Sequence, residues 1–158
     1  MPEFRIRDLD HLAVLGRALA ACLSEEPFLR CILLRGDLGS GKTTLTRCLV
    51  ETLPGGDRAE ISSPSFTLCN VYPTTPPVCH CDLYRTGSAV PVEISEILDA
   101  GDMTVIVEWA EYLPVAWLPH EFLDICLQVC DDYRLVRVEI HSPNSARLRF
   151  LLQAVQSM

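Results

Sequence analysis

The chain has 158 residues, a hydrophobic fraction of 49% and a formal net charge of −8. That length fits one domain, residues 1–158, able to bury about 68–70% of its unfolded surface. No apolar run approaches the ~20 residues a membrane span needs, and the acidic balance argues against a dedicated nucleic-acid surface, which is normally basic.

The segment Met1–Asp8 has no apolar signal core, so the sequence predicts a cytoplasmic protein. Residues 4–8 read as a short strand leading to a helix near Asp10, in which Leu12, Leu15, Leu19 and Leu23 recur at helical spacing and form a stripe that packs on a sheet. Glu25, Glu26 and Pro27 end that helix. Cys31–Arg35 is a buried strand, followed by a glycine-rich loop and a helix expected to reach Leu53, where Pro54, Gly55 and Gly56 stop it. Residues 66–72 alternate like a strand, and Pro73, Pro76 and Pro77 force a turn. Val78–Cys81 is a strand that delivers Asp82. Residues 93–98 form a short helix, and Thr104–Val107 is a buried strand ending in Glu108. Residues 122–130 and 133–141 alternate and are joined by Asp131 and Asp132, the pattern of an antiparallel hairpin. Residues 146–155 read as an amphipathic helix through Leu148, Leu151, Leu152 and Val155. The class is α/β, a P-loop NTPase-like three-layer fold with a mixed central sheet and a C-terminal antiparallel hairpin.

Chemistry concentrates in the loop Gly36, Asp37, Leu38, Gly39, Ser40, Gly41, Lys42, Thr43, Thr44. It is G-x-x-x-x-G-K-[ST] between a strand and a helix, the context a phosphate-binding loop demands. The glycines let successive N–H groups turn inward around an anion, and the following helix adds unpaired amides and the positive end of its dipole. Lys42 supplies a point charge for the β- and γ-phosphates, and the Thr43 hydroxyl is placed to ligate Mg²⁺. The predicted cofactors are ATP and Mg²⁺.

Hydrolysis needs acids near the metal, and in such folds ligands collect at the carboxyl ends of strands. Glu108 is the Walker B candidate, holding Mg²⁺ opposite Thr43. Asp82 would complete the metal's outer shell or orient the attacking water. Ser63, Ser65 and Thr67 belong either to a segment that senses the γ-phosphate or to an ordinary proline-containing turn, and both readings stand. The eight cysteines read as buried, reduced thiols acting as small hydrophobes. In Cys79-His80-Cys81 a strand points both thiols to one face, with no second pair at zinc-ligand spacing.

Four segments, Gly36–Thr44, Ser63–Tyr72, His80–Arg85 and Val107–Glu111, resemble in order and spacing the TsaE family (formerly YjeE), the bacterial ATPases of tRNA threonylcarbamoyladenosine synthesis. The H-x-D-L-Y-R and V-E-W-x-E motifs make the match specific, over about residues 8–140. The resemblance implies a P-loop ATPase working with TsaB and TsaD, which place the threonylcarbamoyl group on the adenosine beside the anticodon of ANN-decoding tRNAs; contact with tRNA is then indirect. It implies that residues 39–44 line the phosphates, that Thr43 and Glu108 bind Mg²⁺, that Lys42 and Asp82 act in hydrolysis, that Trp109 lies near the nucleotide, and that Arg134 lies near the base. Leu12 stands where the family often has a threonine close to the adenine, and Thr86 stands where a leucine usually follows D-L-Y-R. The alternative from the loop alone is a small P-loop kinase acting on a small-molecule acceptor. Against it, the chain has no arginine-rich lid. A third reading is a nucleotide-gated assembly protein without useful turnover.

Overall fold

The computed structural model describes residues 1–156. Its elements run β1 (Glu3–Ile6), α1 (Leu9–Glu25), β2 (Cys31–Arg35), α2 (Lys42–Val50), β3 (Cys69–Tyr72), β4 (Val78–Asp82), α3 (Glu93–Ala100), β5 (Thr104–Glu108), β6 (Phe122–Val129), β7 (Arg134–His141) and α4 (Ser145–Gln156), with short 3₁₀ turns between. The strands form one sheet in the order β1-β7-β6-β2-β5-β4-β3. Its centre is parallel (β6 with β2, β2 with β5, β5 with β4), while β1, β7 and β3 add antiparallel edges. This is the expected mixed sheet, with β6 and β7 as the expected hairpin.

Parallel strands covered on both faces read as continuous apolar runs, which is why β2 and β5 could be placed from composition. Side chains alternate across a strand. Ile32, Leu34 and Ile106 therefore join one core with α1, α2 and α4, while Cys31, Leu33, Val105 and Val107 join the other with Ile94 and Leu98 of α3. Leu12, Leu15, Leu19 and Leu23 of α1 are all buried as their spacing required. Asp8 caps that helix by accepting a hydrogen bond from the His11 amide at 2.9 Å. Gly16 lets α1 and α2 approach closely, since a Cβ there would lie 2.7 Å from the Cβ of Cys48.

Three expectations are corrected. The loop helix stops at Val50, not Leu53: Thr52 and Leu53 donate to Leu49 and Val50, three residues back, tightening the last turn away from α-geometry. The strand expected from residue 66 begins only at Cys69, because Leu68 is left-handed (φ 69°) and residues 65–67 form a turn that leaves Phe66 exposed. Finally, the cysteines are not all free thiols: Cys69 and Cys81 form a disulfide. They are 12 residues apart in sequence and become neighbours only through the β3–β4 register.

Candidate functional site

The parallel strands β2, β4 and β5 all end at one edge of the sheet, and this edge carries a cavity of about 480 Å³. From the first wall of the cavity comes the loop after β2. Gly36 has φ 134°, and a Cβ there would sit 2.2 Å from the carbonyl oxygen of Leu127 in β6. Only glycine fits between the loop and the strand beneath it. Gly41 is the left-handed N-cap of α2 (φ 107°), and no side chain caps the helix. The Leu45 amide is the first to find an intrahelical acceptor, Gly41 at 2.9 Å. The amides of residues 42–44 thus face forward without a helical partner, the arrangement that holds anions at helix N-termini.

Lys42 is 4% exposed. Its ammonium donates to the carbonyls of Gly36 (2.6 Å) and Asp37 (3.0 Å) and lies 4.0 Å from the centre of the Trp109 ring. Burial pulls its pKa below the ordinary lysine value, while the nearby carboxylates of Glu108, Glu111, Asp82 and Asp37 pull the other way. The lysine is held inside the loop by groups that a phosphate would outcompete.

The second wall holds the acids. Asp82 and Glu108 are register partners at the ends of β4 and β5. They are 4% and 2% exposed, so neither is an ordinary solvated strand-end acid. Both lie an even number of residues from Ile106 or its register partner His80, so alternation turns them to the α2 face. There the Thr43 hydroxyl donates to the Glu108 carboxylate at 2.8 and 3.0 Å. Asp82 accepts from the Ser63 hydroxyl at 2.5 Å and from the Tyr84 amide at 2.9 Å.

Of the residues singled out by sequence, Leu38, Gly39, Gly41, Lys42, Thr43, Thr44, Asp82, Glu108, Trp109 and Arg134 line this one cavity. Gly36, Asp37 and Ser40 stand behind it; Ser40 is fully buried and its hydroxyl finds no partner among the described residues. Ser63 and Ser65 reach the cavity, whereas Thr67 turns away to bond Asn70. Arg134, at the start of β7, lies over the loop: a Cβ on Gly41 would be 3.7 Å from its Cδ and Nε, and that buried Nε has no partner among the described residues. Ile6, Leu9 and Leu12 from the β1–α1 corner add apolar surface suited to a base.

Sequence reasoning gave no role to His80, which is fully buried. Its Nε2 lies 2.8 Å from Glu108 and its Nδ1 3.1 Å from the Tyr72 hydroxyl, which itself donates to the Ser62 carbonyl at 3.2 Å. A polar chain thus runs from Ser62 at the surface through buried Tyr72, His80 and Glu108 to half-buried Thr43. The signal available was a histidine at an alternating position two residues before a strand-end acid. Trp109, directly after Glu108, is left-handed (φ 58°). For a non-glycine residue that conformation costs on the order of 1–3 kcal/mol and persists only where surroundings enforce it, a recurrent feature of functional sites.

A family model for the threonylcarbamoyl adenosine biosynthesis protein TsaE matches residues 6–137. The chain belongs to the TsaE family. Among curated TsaE proteins of tRNA threonylcarbamoyladenosine biosynthesis, that of Rickettsia bellii is 37% identical over 122 residues, covering 74% of this chain and 79% of the relative. The Streptomyces coelicolor protein is 39% identical over 102 residues, covering 61% of this chain and 66% of the relative. In fold, the crystal structure of Bacillus subtilis YdiB superposes with a TM-score of 0.69 over 97% of this chain and 94% of that one, at 24% identity. The likeness to YdiB is one of fold, and the mixed seven-stranded sheet with its β6–β7 hairpin is the α/β architecture expected from the sequence.

Whether the site suits ATP and Mg²⁺ can be tested on its donors. The hydroxyl of Thr43 and the carboxylate of Glu108 converge within hydrogen-bond distance, an all-oxygen pair that matches the preference of a hard divalent cation. The forward-facing amides of α2, Lys42 and the Arg134 Nε, which has no partner among the described residues, are groups that suit an anion. The residues fit.

Proposed function

We propose that this TsaE-family protein binds ATP with Mg²⁺, hydrolyses it slowly, and acts with TsaB and TsaD in forming the threonylcarbamoyl modification of tRNA, in the cytoplasm. The single observation that best supports turnover, over binding alone, is the convergence of Thr43, Glu108 and Asp82 on the cavity that Lys42 also lines. In this reading residues 39–44 cradle the phosphates and Lys42 leaves its loop carbonyls for the β- and γ-phosphate oxygens. Thr43 and Glu108 hold the metal, which when bound neutralises charge on the transferring phosphoryl group. Asp82, fixed by Ser63 and the Tyr84 amide, orients the attacking water from the adjacent strand end. Trp109 and Arg134 close the loop side, and the apolar β1–α1 corner receives the base.

Calorimetric titration with ATP and Mg²⁺, followed by phosphate-release kinetics with and without TsaB and TsaD, tests this reading. Saturable binding and slow release that rises with the partners are expected. Lys42→Ala should weaken ATP binding by about 1.5–3 kcal/mol, the worth of charged hydrogen bonds. Absence of binding would overturn this reading, and fast transfer to a nucleoside or sugar acceptor would replace it with the kinase reading.

A further inference from the structure

On the sheet face opposite the two acids, Cys69, Cys79 and Cys81 bring their sulfurs within 4.8 Å of one another. Cys69 of β3 and Cys81 of β4 are directly opposite, with Cα atoms 4.1 Å apart. The next pair along, Leu68 and Asp82, is hydrogen-bonded through the Asp82 amide (2.9 Å), so Cys69 and Cys81 occupy a non-hydrogen-bonded position, where facing side chains come closest. We propose that Cys69–Cys81 is a reversible disulfide that fixes the Ser63–Tyr72 segment against the strand bearing Asp82.

Position gives the bond this leverage. β3 is a four-residue strand at the sheet edge, paired among the described residues with β4 alone and preceded by irregular backbone. Such elements lie at the low end of local stability. Cys69 follows the left-handed Leu68, the residue that turns the serine segment into the strand, and Cys81 directly precedes Asp82. A covalent link between these neighbours removes conformational freedom from the unlinked segment. For a cytosolic protein, the location proposed above, such bonds are usually transient and redox-sensing.

Half-buried Cys69 is the point of entry, since Cys79 and Cys81 are buried. Its thiolate attacks a small-molecule disulfide such as oxidised glutathione, forming a mixed disulfide and expelling one glutathione thiolate. The Cys81 thiolate then attacks the Cys69 sulfur, forms the internal bond and expels the second. The two thiol protons pass to the two glutathione thiolates, and the two cysteines are oxidised as glutathione is reduced. Cys79 lies 3.7 Å from Cys81, but it faces Val71 across the β3–β4 register, so Cys81 and not Cys79 stands opposite the Cys69 sulfur.

The test uses the full chain equilibrated with oxidised or reduced glutathione. Alkylation under denaturing conditions should find six free thiols in the oxidised form, against all eight after reduction. Hydrogen exchange at the Asn70 and Tyr72 amides, which face β4 at hydrogen-bonded positions, should be about tenfold faster in the reduced chain and in Cys69→Ser, with Cys79→Ser behaving as the parent. Eight free thiols under oxidising conditions, or exchange unchanged by oxidation, would overturn the proposal. So would stoichiometric Zn²⁺ binding by the reduced chain that Cys79→Ser abolishes, which would make the cluster a three-thiolate metal centre. These readouts need no nucleotide, so a failure to bind ATP would sink the functional reading alone.

Discussion

The two walls of the cavity are built on different principles. The β2–loop–α2 wall rises from the centre of the sheet, where β2 pairs with strands on both sides, and its chemistry is confined to nine consecutive residues. The β4–β5 wall draws on four separated segments: Ser63 in irregular backbone, Tyr72 on the edge strand, Asp82 and His80 on β4, and Glu108 on β5. A phosphate cradle needs only main-chain amides and one ammonium, which a single turn can supply. Placing a carboxylate and a water for in-line attack needs groups from several directions, and only a folded sheet provides them. In the proposed reading, binding falls to the first wall and turnover to the second, and that division can be broken at either.

The largest expected effect is on the second wall. Asp82→Asn keeps the size and the oxygen that accepts from the Tyr84 amide, turns an NH₂ toward the Ser63 hydroxyl and removes the charge, so phosphate release should fall on the order of 10²-fold or more, the usual contribution of a positioned acid–base group. ATP affinity measured by calorimetry should stay within about twofold. A parallel loss of affinity would show that the walls do not divide binding from turnover.

A free-energy effect of similar size is expected from Gly36→Ala on the first wall. The added methyl would collide with the Leu127 carbonyl in a backbone conformation that alanine resists. Urea denaturation should show a loss of about 3 kcal/mol, and nucleotide binding should weaken with it. A stable variant with normal binding would mean that the loop does not depend on its seat against β6.

The smallest effect concerns the strand beneath the first wall. Burial pushes the thiols of Cys31, in β2, and Cys22, in α1, up to about 12. Each is raised above its unfolded value, so the stability it contributes is fully present below about pH 9 and is lost as pH climbs toward 12, because the unfolded thiol releases its proton first. The slope is about 1.4 kcal/mol per pH unit for each thiol. Cys31→Val should remove one of these contributions and flatten the decline in urea midpoint between pH 9 and 11. An unchanged slope would show that Cys31 is not the group responsible.

Strand and helix placement was legible wherever one physical signal dominated. The leucines of α1, the β-branched run of β5 and the alternation of β6 and β7 all lie close to where their patterns put them. Pattern failed at two boundaries governed by backbone geometry: the left-handed Leu68, which shortened β3, and the tightened turn after Val50. Alternation reports which face a side chain prefers and carries no information about φ.

What the sequence by itself determined is the local pattern: a glycine-rich loop of the G-x-x-x-x-G-K-[ST] form between a strand and a helix, and two acids each at the end of an apolar run. These depend on residues adjacent in the chain, and adjacency is what a sequence records. Tertiary structure alone decided that Asp82 and Glu108 are register partners turned toward Thr43, that His80 links Glu108 to Tyr72, and that Cys69 meets Cys81 rather than remaining a free thiol. Each of these pairings joins segments whose mutual register is fixed by the sheet's hydrogen bonds and by burial of its two faces. A shift of one residue would turn every such side chain to the opposite core.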